Sequence, residues 1–250
     1  TWEEAKKLDV GLELGLFNAL NIEAAYFTED RTGIFMRRTS LPSSTGLLGV
    51  TPYGNIGRVK SHGVDLSAVY NKQFNKDWSL SLRGTFTFSR NEVVEKDEGD
   101  LMYDYMSVVG HPVNAITGVL VADGLFTSQE EIDNSPRQTF MPDYLPGDIK
   151  YRDLNGDGII DSQDIAPIGY SNLPRYTFNA NLGLEYKGFS LSALFTGACD
   201  GSMPISSHYM LNPFYMQTGS AQVFHYEDRW TQDKADRGIA AKWPRASLRN

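Results

Sequence analysis

The stretch WSLSLRGTFTFS, Trp78 to Ser89, constrains this chain more than any other. Trp78, Leu80, Leu82, Gly84, Phe86 and Phe88 alternate strictly with Ser79, Ser81, Arg83, Thr85, Thr87 and Ser89. A period of two places the sets on opposite faces of an extended strand, which no helix does. At ~3.3 Å per residue the ladder from Trp78 to Phe88 is about 33 Å long. A tilt of about 40° reduces that to roughly 25 Å, the height of the outward apolar band of an outer-membrane type of barrel.

Five further segments share the design. Val10, Leu12, Leu14 and Leu16 alternate with Gly11, Glu13 and Gly15; Ile22, Ala24 and Tyr26 alternate less cleanly with Glu23, Ala25 and Phe27. Val64, Leu66, Ala68 and Tyr70 oppose Asp65, Ser67 and Asn71. Phe178 to Tyr186 and Phe189 to Phe195 complete the set, so strands are expected near 8–30, 59–91 and 175–197. A soluble β-sandwich also alternates apolar-in with polar-out, and the pattern by itself leaves both architectures open.

The connections separate them. A few residues around Asn18, the segment Asn71 to Asp77, and Lys187-Gly188 make three short joints. Between them lie a long segment from about Arg31 to Arg58 and an excursion of more than eighty residues, 92–174. Short, long, short, long, short is the rhythm of a transmembrane barrel with tight periplasmic turns and large extracellular loops. The expected fold is therefore all-β: part of an antiparallel transmembrane β-barrel with long extracellular loops, spanning residues 1–250. Phe17, Tyr70, Trp78, Tyr186 and Phe189 lie beside the short joints, where an aromatic girdle sits; Tyr26, Phe86 and Phe88 lie toward the long ones.

Composition narrows the partners. The formal net charge is -8 and the basic residues are scattered singly, so nucleic acid is not expected to bind. No apolar run reaches the ~18 residues of a membrane-spanning helix, which leaves strands as the only spanning element. The single Cys199 excludes an internal disulfide, and His62, His111, His208 and His225 are too far apart for a local metal motif. The chain opens at TWEEAKKLDVG with neither initiator Met nor signal peptide and is expected to be a piece of a longer protein.

A structureless loop of more than eighty residues is improbable, so the excursion is expected to carry its own fold. Its acidic start, EVVEKDEGD, reads as solvated surface; GHPVNAITGVLVADGLF reads as short strands or a hairpin; TSQEEID carries a capping-box pattern for one short helix. DLNGDGIIDSQD then presents oxygen donors at Asp153, Asn155, Asp157, Asp161 and Asp164, positions 1, 3, 5, 9 and 12 of a calcium loop, with the Ile159 carbonyl at position 7. Gly158 stands at position 6, where the chain must turn sharply, and apolar Ile160 at position 8, where a small β-bridge forms. The alternative is an Asx-rich turn without metal. Pro142, Pro146 and Gly147 before the loop, and Pro167 and Gly169 after it, deny the flanking helices of an EF-hand. The loop is expected to stand unpaired, a structural Ca2+ clip rather than a sensor, with Asp164 reaching less far than the usual Glu.

TWE…VGL…LGLFN, NIGRVKSHGVDL, PGDIKYRDLNGDGIIDSQD, YKGFSLSALFTGACDG and DRWT…WPR occur in an order that resembles the SusC/RagA family of TonB-dependent outer-membrane transporters of the Bacteroidetes. The resemblance implies a barrel of about twenty-two strands around an N-terminal plug, multi-pass in the bacterial outer membrane. It implies a SusD-like surface lipoprotein over the extracellular mouth, import of oligosaccharides or peptides, and TonB–ExbBD acting through a plug region that this sequence does not contain. Glu13, Glu23, Asp65, Arg83 and Glu185 then face the lumen, toward the plug or the translocation path, or stand as solvated wall residues. No paired-carboxylate, nucleophile–base or phosphate-cradling spacing occurs, so an enzyme is not expected. The competing function is an extracellular glycan-binding or adhesion module with a dockerin-like calcium loop.

Overall fold

The computed structural model describes residues 2–41, 44, 52–141, 143–205 and 221–246. His208 and Pro142, named above, lie outside the described residues. Among the described residues twelve strands run in the order β1 Glu4–Leu16, β2 Leu20–Arg37, β3 Tyr53–Gln73, β4 Trp78–Glu95, β5 Ile116–Leu120, β6 Ala122–Leu125, β7 Arg137–Gln138, β8 Ile149–Tyr151, β9 Ile159–Ile160, β10 Ile165–Ile168, β11 Tyr176–Tyr186 and β12 Phe189–Cys199. The chain divides into two compact units, Thr1–Leu101 with Ser107–Ile116 and Gly169–Ser202, and Met102–Met106 with Thr117–Ile168 and Met203–Asn250.

The first unit is a six-stranded sheet in the order β1-β2-β3-β4-β11-β12, with the described pairings antiparallel. Its register carries the apolar alternation straight across. Leu12, Ala24, Leu66, Phe86, Phe178 and Gly197 form one cross-strand row, and Leu16, Leu20, Tyr70, Leu82, Leu182 and Ala193 form another four residues along. The row next to the first is polar: Glu13, Glu23, Ser67, Thr85, Asn179 and Thr196. Directly opposed residues of an antiparallel pair share a face, so the sheet has one apolar and one polar side.

Among the described residues the apolar side has no core behind it. Among the described residues the buried hydrophobic side chains are Phe126, Ile132 and Ile160, all in the second unit, whereas Leu12 on β1 is 57% exposed and Phe195 on β12 is 66% exposed. A sandwich would bury these rows against a second sheet. This sheet presents them outward, as a barrel wall does.

Two aromatic rings pack over facing glycines, and for Phe27 this is the reason it breaks the alternation. Phe27 on the polar side lies opposite Gly63, where an added Cβ would stand 2.3 Å from its ring. Phe178 covers Gly197 likewise, at 2.1 Å. Each ring occupies the space that the facing glycine leaves open.

The short joints follow hairpin chemistry. Lys187 and Gly188 both adopt positive φ, 46° and 83°, the type I′ geometry whose twist matches the flanking strands. Phe17 and Asn18 do so as well, at 56° and 49°. Trp78 and Tyr186, opposed beside these turns, pack with ring centroids 4.3 Å apart.

The connection expected between Arg31 and Arg58 is shorter than the hydropathy suggests, because β2 continues to Arg37 and β3 begins at Tyr53. Charged pairs replace apolar rows there, which ends the alternation but not the ladder. Arg58 holds Asp30 through two hydrogen bonds of 2.8 and 2.6 Å and reaches Glu95 at 3.4 Å. A Glu3–Arg31–Glu29–Lys7 chain links β2 to β1 and to the segment before it, with separations of 2.7, 2.8 and 3.3 Å. A double irregularity between Thr32 and Phe35 bends β2, and Asn55 secures it by donating to the Gly33 carbonyl at 2.8 Å.

The acidic run EVVEKDEGD is likewise more than solvated surface. Asp97 accepts the Thr39 N–H at 2.8 Å and the Ser40 N–H at 3.4 Å; Glu98 accepts from the Val108 N–H at 2.8 Å and the Ser107 hydroxyl at 2.5 Å. A hydrogen bond from the Ser40 side chain first, then those from the Ser40 and Thr39 N–H groups, hold the Asp97 carboxyl below its ordinary range.

In the second unit β5 pairs with β10 and β6 with β8, so the segment Gly110 to Phe126 is not a hairpin on itself. The short helix Gln129–Asp133 forms where the capping pattern lies: the Ser128 hydroxyl accepts the Glu131 N–H at 3.2 Å while the Glu131 carboxylate accepts the Thr127 N–H at 2.8 Å.

Candidate functional site

The loop Asp153 to Asp164 folds as a run of side-chain-to-backbone turns. Asp153 accepts from the Gly156 and Gly158 N–H groups at 2.6 and 2.9 Å, Asn155 from Asp157 at 3.0 Å, Asp157 from Ile159 at 2.7 Å, and Asp161 from Gln163 at 2.7 Å. Asp164, fully buried, accepts from Leu154 at 2.8 Å and Asp161 at 2.9 Å, closing the last position of the loop onto the second. Gly156 and Gly158 adopt positive φ, 78° and 82°, which lets the chain double back between these donors.

The expectation of an unpaired loop is corrected. Positions 7 and 8, Ile159 and Ile160, form β9 and pair in parallel with Arg137 and Gln138 of β7. The Arg137 N–H donates to the Gly158 carbonyl at 3.0 Å and the Thr139 N–H to the Ile160 carbonyl at 3.1 Å. Carbonyl directions alternate along a strand, so the Ile159 carbonyl between them is turned away from β7. Ile160, 1% exposed, anchors the loop in the core of the unit, the long-range contact that its apolar character at position 8 requires.

The donor set is chemically suited to a hard cation. All five side chains offer oxygen, with no thiolate or imidazole, and four carry a negative charge. The neighbouring Arg152 pairs outside the loop, with Asp123 at 2.8 Å. Among the described residues no three Asp, Glu, His or Cys side chains converge as a preassembled metal cage. The carboxylates are engaged by main-chain N–H groups instead, and Asp157 takes the Asn155 amide at 3.0 Å on its second oxygen. The donor types and their spacing match a calcium loop, while their placement is that of an Asx-rich turn.

Residues that carry no local sequence signal brace this unit. The Tyr105 hydroxyl donates to the Gln163 carbonyl at 2.7 Å, and Tyr103 to the Gln163 side-chain oxygen at 3.3 Å. Burial, then the charge of Asp164, raises the Tyr105 hydroxyl above its ordinary pKa and keeps it a donor. Buried Gln138 donates to the Ile149 carbonyl at 3.2 Å and accepts the Tyr151 N–H at 3.0 Å, tying β7 to β8. Just before β8, Asp148, 1% exposed, takes two hydrogen bonds from Arg245 at 2.8 and 3.0 Å and one from the Leu145 N–H at 2.8 Å. PGD and WPR, 97 residues apart, thus meet in one ion pair, and Trp230 packs over Gly147, where an added Cβ would stand 2.4 Å from its ring.

On the polar side of the sheet, Glu13 and Glu23 stand directly opposite each other. Asp65 accepts the Thr87 hydroxyl at 2.7 Å and Glu185 the Ser79 hydroxyl at 2.9 Å, while Arg83 lies in register with Val69 and Asn181. An open concavity of about 690 Å³ is lined by Glu13, Glu23, Asp65, Ser67 and Thr87 among others. It is not a closed ligand pocket.

Comparison with known proteins agrees with this architecture. The family profile described as TonB dependent receptor-like, beta-barrel matches residues 1–235. TonB-dependent receptor P26 of Formosa agariphila is 28% identical over 93% of this chain and 24% of its own length; TonB-dependent receptor P3 of the same organism is 29% identical over 81% and 21%. The chain thus spans about a quarter of the curated relatives it matches. Among solved structures, the RagAB peptide transporter covers 99% of this chain and 27% of its own, at 20% identity with a TM-score of 0.66. The RagAB peptide importer in the 'open-open' state gives 0.67 at 20% identity, over 99% and 26%. The family consists of outer-membrane receptors and transporters, not enzymes. An apolar sheet face with no core behind it, a polar face opposite and large loops on one side are the wall of such a barrel, and the chain belongs to the TonB-dependent receptor-like β-barrel family, with a SusC/RagA-like fold.

Proposed function

We propose that this chain is part of the barrel subunit of a TonB-dependent importer that takes up oligosaccharides or peptides across the outer membrane. It works beneath a SusD-like surface lipoprotein and is driven by TonB–ExbBD acting through a plug region. The observation that carries this reading is the unbroken set of apolar rows across six strands backed by a polar face, which places lipid on one side and an aqueous lumen on the other. A free-standing adhesion module would leave those rows in water. RagAB is described as a peptide transporter, which supports the peptide arm of the substrate class.

Within that importer the loop Asp153 to Asp164 is a structural Ca2+ clip. Asp153, Asn155, Asp157, Asp161 and Asp164 would hold the ion with the Ile159 carbonyl, and the ion would supply the positive charge that four neighbouring carboxylates lack. Its role is to stiffen an extracellular loop, not to take part in transport chemistry.

Expression of the full-length protein with the lipoprotein encoded beside it tests the assembly. A heat-modifiable barrel that co-purifies with the lipoprotein, and peptide or oligosaccharide uptake that stops when TonB is deleted, are the expected results. A monodisperse, detergent-free soluble product would overturn the reading.

A further inference from the structure

The outward face of the sheet does not end at its last apolar row. Val10, Tyr26, Val64, Phe88 and Tyr176 share that row, with the Phe88 and Tyr176 rings 5.0 Å apart, and they mark the loop-side edge of the apolar band. Two residues farther along β1 to β4 the same face carries Leu8, Thr28, His62 and Arg90; two farther again it carries Lys6, Asp30, Lys60 and Glu92. At ~3.3 Å per residue these rows lie about 7 and 13 Å along the strands from the aromatic row. A tilt of about 40° makes that roughly 5 and 10 Å of height, the depth at which headgroups replace acyl chains.

The charges of these rows do not all cancel in pairs. Arg58, one row farther out, holds both oxygens of Asp30 at 2.8 and 2.6 Å and reaches Glu95 at 3.4 Å, while Arg90 lies 3.7 Å from Glu92. Lys6 and Lys60 stand directly on either side of Asp30, but its carboxylate is already taken. Both lysines are exposed, and among the described residues neither has a contact ion pair. Glu4 lies a row beyond Lys6, farther from the acyl boundary. Two strand spacings set the lysines about 10 Å apart, with an arginine-neutralised carboxylate between them. Their four-carbon stems can lie over the apolar rows while the ammonium groups meet whatever anion the membrane surface offers.

We propose that Lys6 and Lys60, with Arg90 and the ring N–H of His62 beneath them, form a docking site on the outer wall for the phosphate-bearing headgroup of an outer-leaflet lipid. The acyl chains of that lipid lie along the apolar rows below, so the site continues the lipid-facing surface and adds charge complementarity to it. This rests on the outward assignment of the apolar rows.

The test uses full-length protein in a neutral detergent, titrated with lipid A, a phosphorylated glycolipid, and with the same lipid after phosphatase treatment; bound lipid is counted by native mass spectrometry. The phosphorylated form binds more tightly to the wild type. Lys6→Gln and Lys60→Gln each weaken it about fivefold, the contribution of one lysine beside an anionic surface, and together about twenty-five-fold for independent sites. Lys76→Gln, the same loss of charge in the short joint between β3 and β4, changes nothing. Added salt lowers the wild-type affinity and has little effect on the double variant. Heat-modifiable migration is the same in all variants. A double variant that binds the phosphorylated lipid as the wild type does, or that loses both forms alike, overturns the site. So does inorganic phosphate that displaces the lipid at matched phosphate concentration, which would make it a free-anion site, or a double variant that keeps the lipid and loses the lipoprotein. Wild-type protein without heat-modifiable migration overturns the barrel reading itself.

Discussion

Replacing Arg245 by Met isolates the energetics of the contact between PGD and WPR. Asp148 is 1% exposed, and its carboxylate is held by two Arg245 N–H groups and by the Leu145 N–H. Arg245→Met removes the cation and strands the charge, which for a buried pair costs ~3–5 kcal/mol. Arg245 retains 26% side-chain exposure and the Leu145 N–H remains, so the lower end, about 3 kcal/mol, applies. A local opening made easier by about 3 kcal/mol is populated roughly a hundredfold more, at ~1.4 kcal/mol per factor of ten. Hydrogen–deuterium exchange of full-length protein in detergent reads this directly: amides of 145–151 exchange about two orders of magnitude faster, while those of β3 and β4 do not change. The double variant Asp148→Asn with Arg245→Met no longer buries a charge and recovers most of the loss, leaving about 1 kcal/mol from the weakened hydrogen bonds. Unchanged protection in the single variant, or additive losses in the double, would show that this pair does not hold the segment.

Three other outcomes follow from the same geometry. Leu82→Lys, in the middle of the lipid-facing ladder, destabilises the barrel by about 2–4 kcal/mol in bilayer unfolding measurements, whereas Thr85→Lys on the polar face costs well under half as much; equal costs would contradict the assignment of faces. Glu131 is held below its ordinary pKa of 4.5 chiefly by the Thr127 N–H and then by Lys150, so its contribution to the helix Gln129–Asp133 is present above pH 4.5 and is lost as pH falls through the lower folded value. Lys150→Met should move that loss to higher pH, followed by the carboxyl shift in NMR titration; no movement would remove Lys150 as a cause. Asp157→Ala, or chelation of wild-type protein, should speed proteolysis between Asp153 and Asp164 without altering the heat-modifiable migration of the barrel, and cleavage indifferent to chelator would rule out the clip.

The wall was legible because its determinants are local and periodic: Trp78 to Phe88 declare both faces of β4 without reference to any partner. The limits of β2 and β3 were not, since Asp30, Arg58 and Glu95 satisfy one another across strands and therefore look like loop residues when read singly. The turns of the loop Asp153 to Asp164 could likewise be read from twelve consecutive residues rich in Asp, Asn and Gly. Its supports could not, because the stacking of Tyr103 on Tyr105, the buried amide of Gln138 and the reach of Arg245 to Asp148 depend on packing between distant segments. Phe27 stands between these cases: it breaks the alternation on β2, and only its position over Gly63 shows why.

The in-register rows of the sheet bear on how such a chain can change length. One residue inserted at Lys187-Gly188 would rotate every side chain of β12 to the opposite surface, sending Phe189, Leu191 and Phe195 toward water and Ser190, Ser192 and Thr196 toward lipid. The tight joints on that side are closed to single-residue insertions and deletions, while the excursion between β4 and β11 can lengthen or shorten without disturbing any row. Sequence drift in length is thereby channelled to one end of the barrel wall.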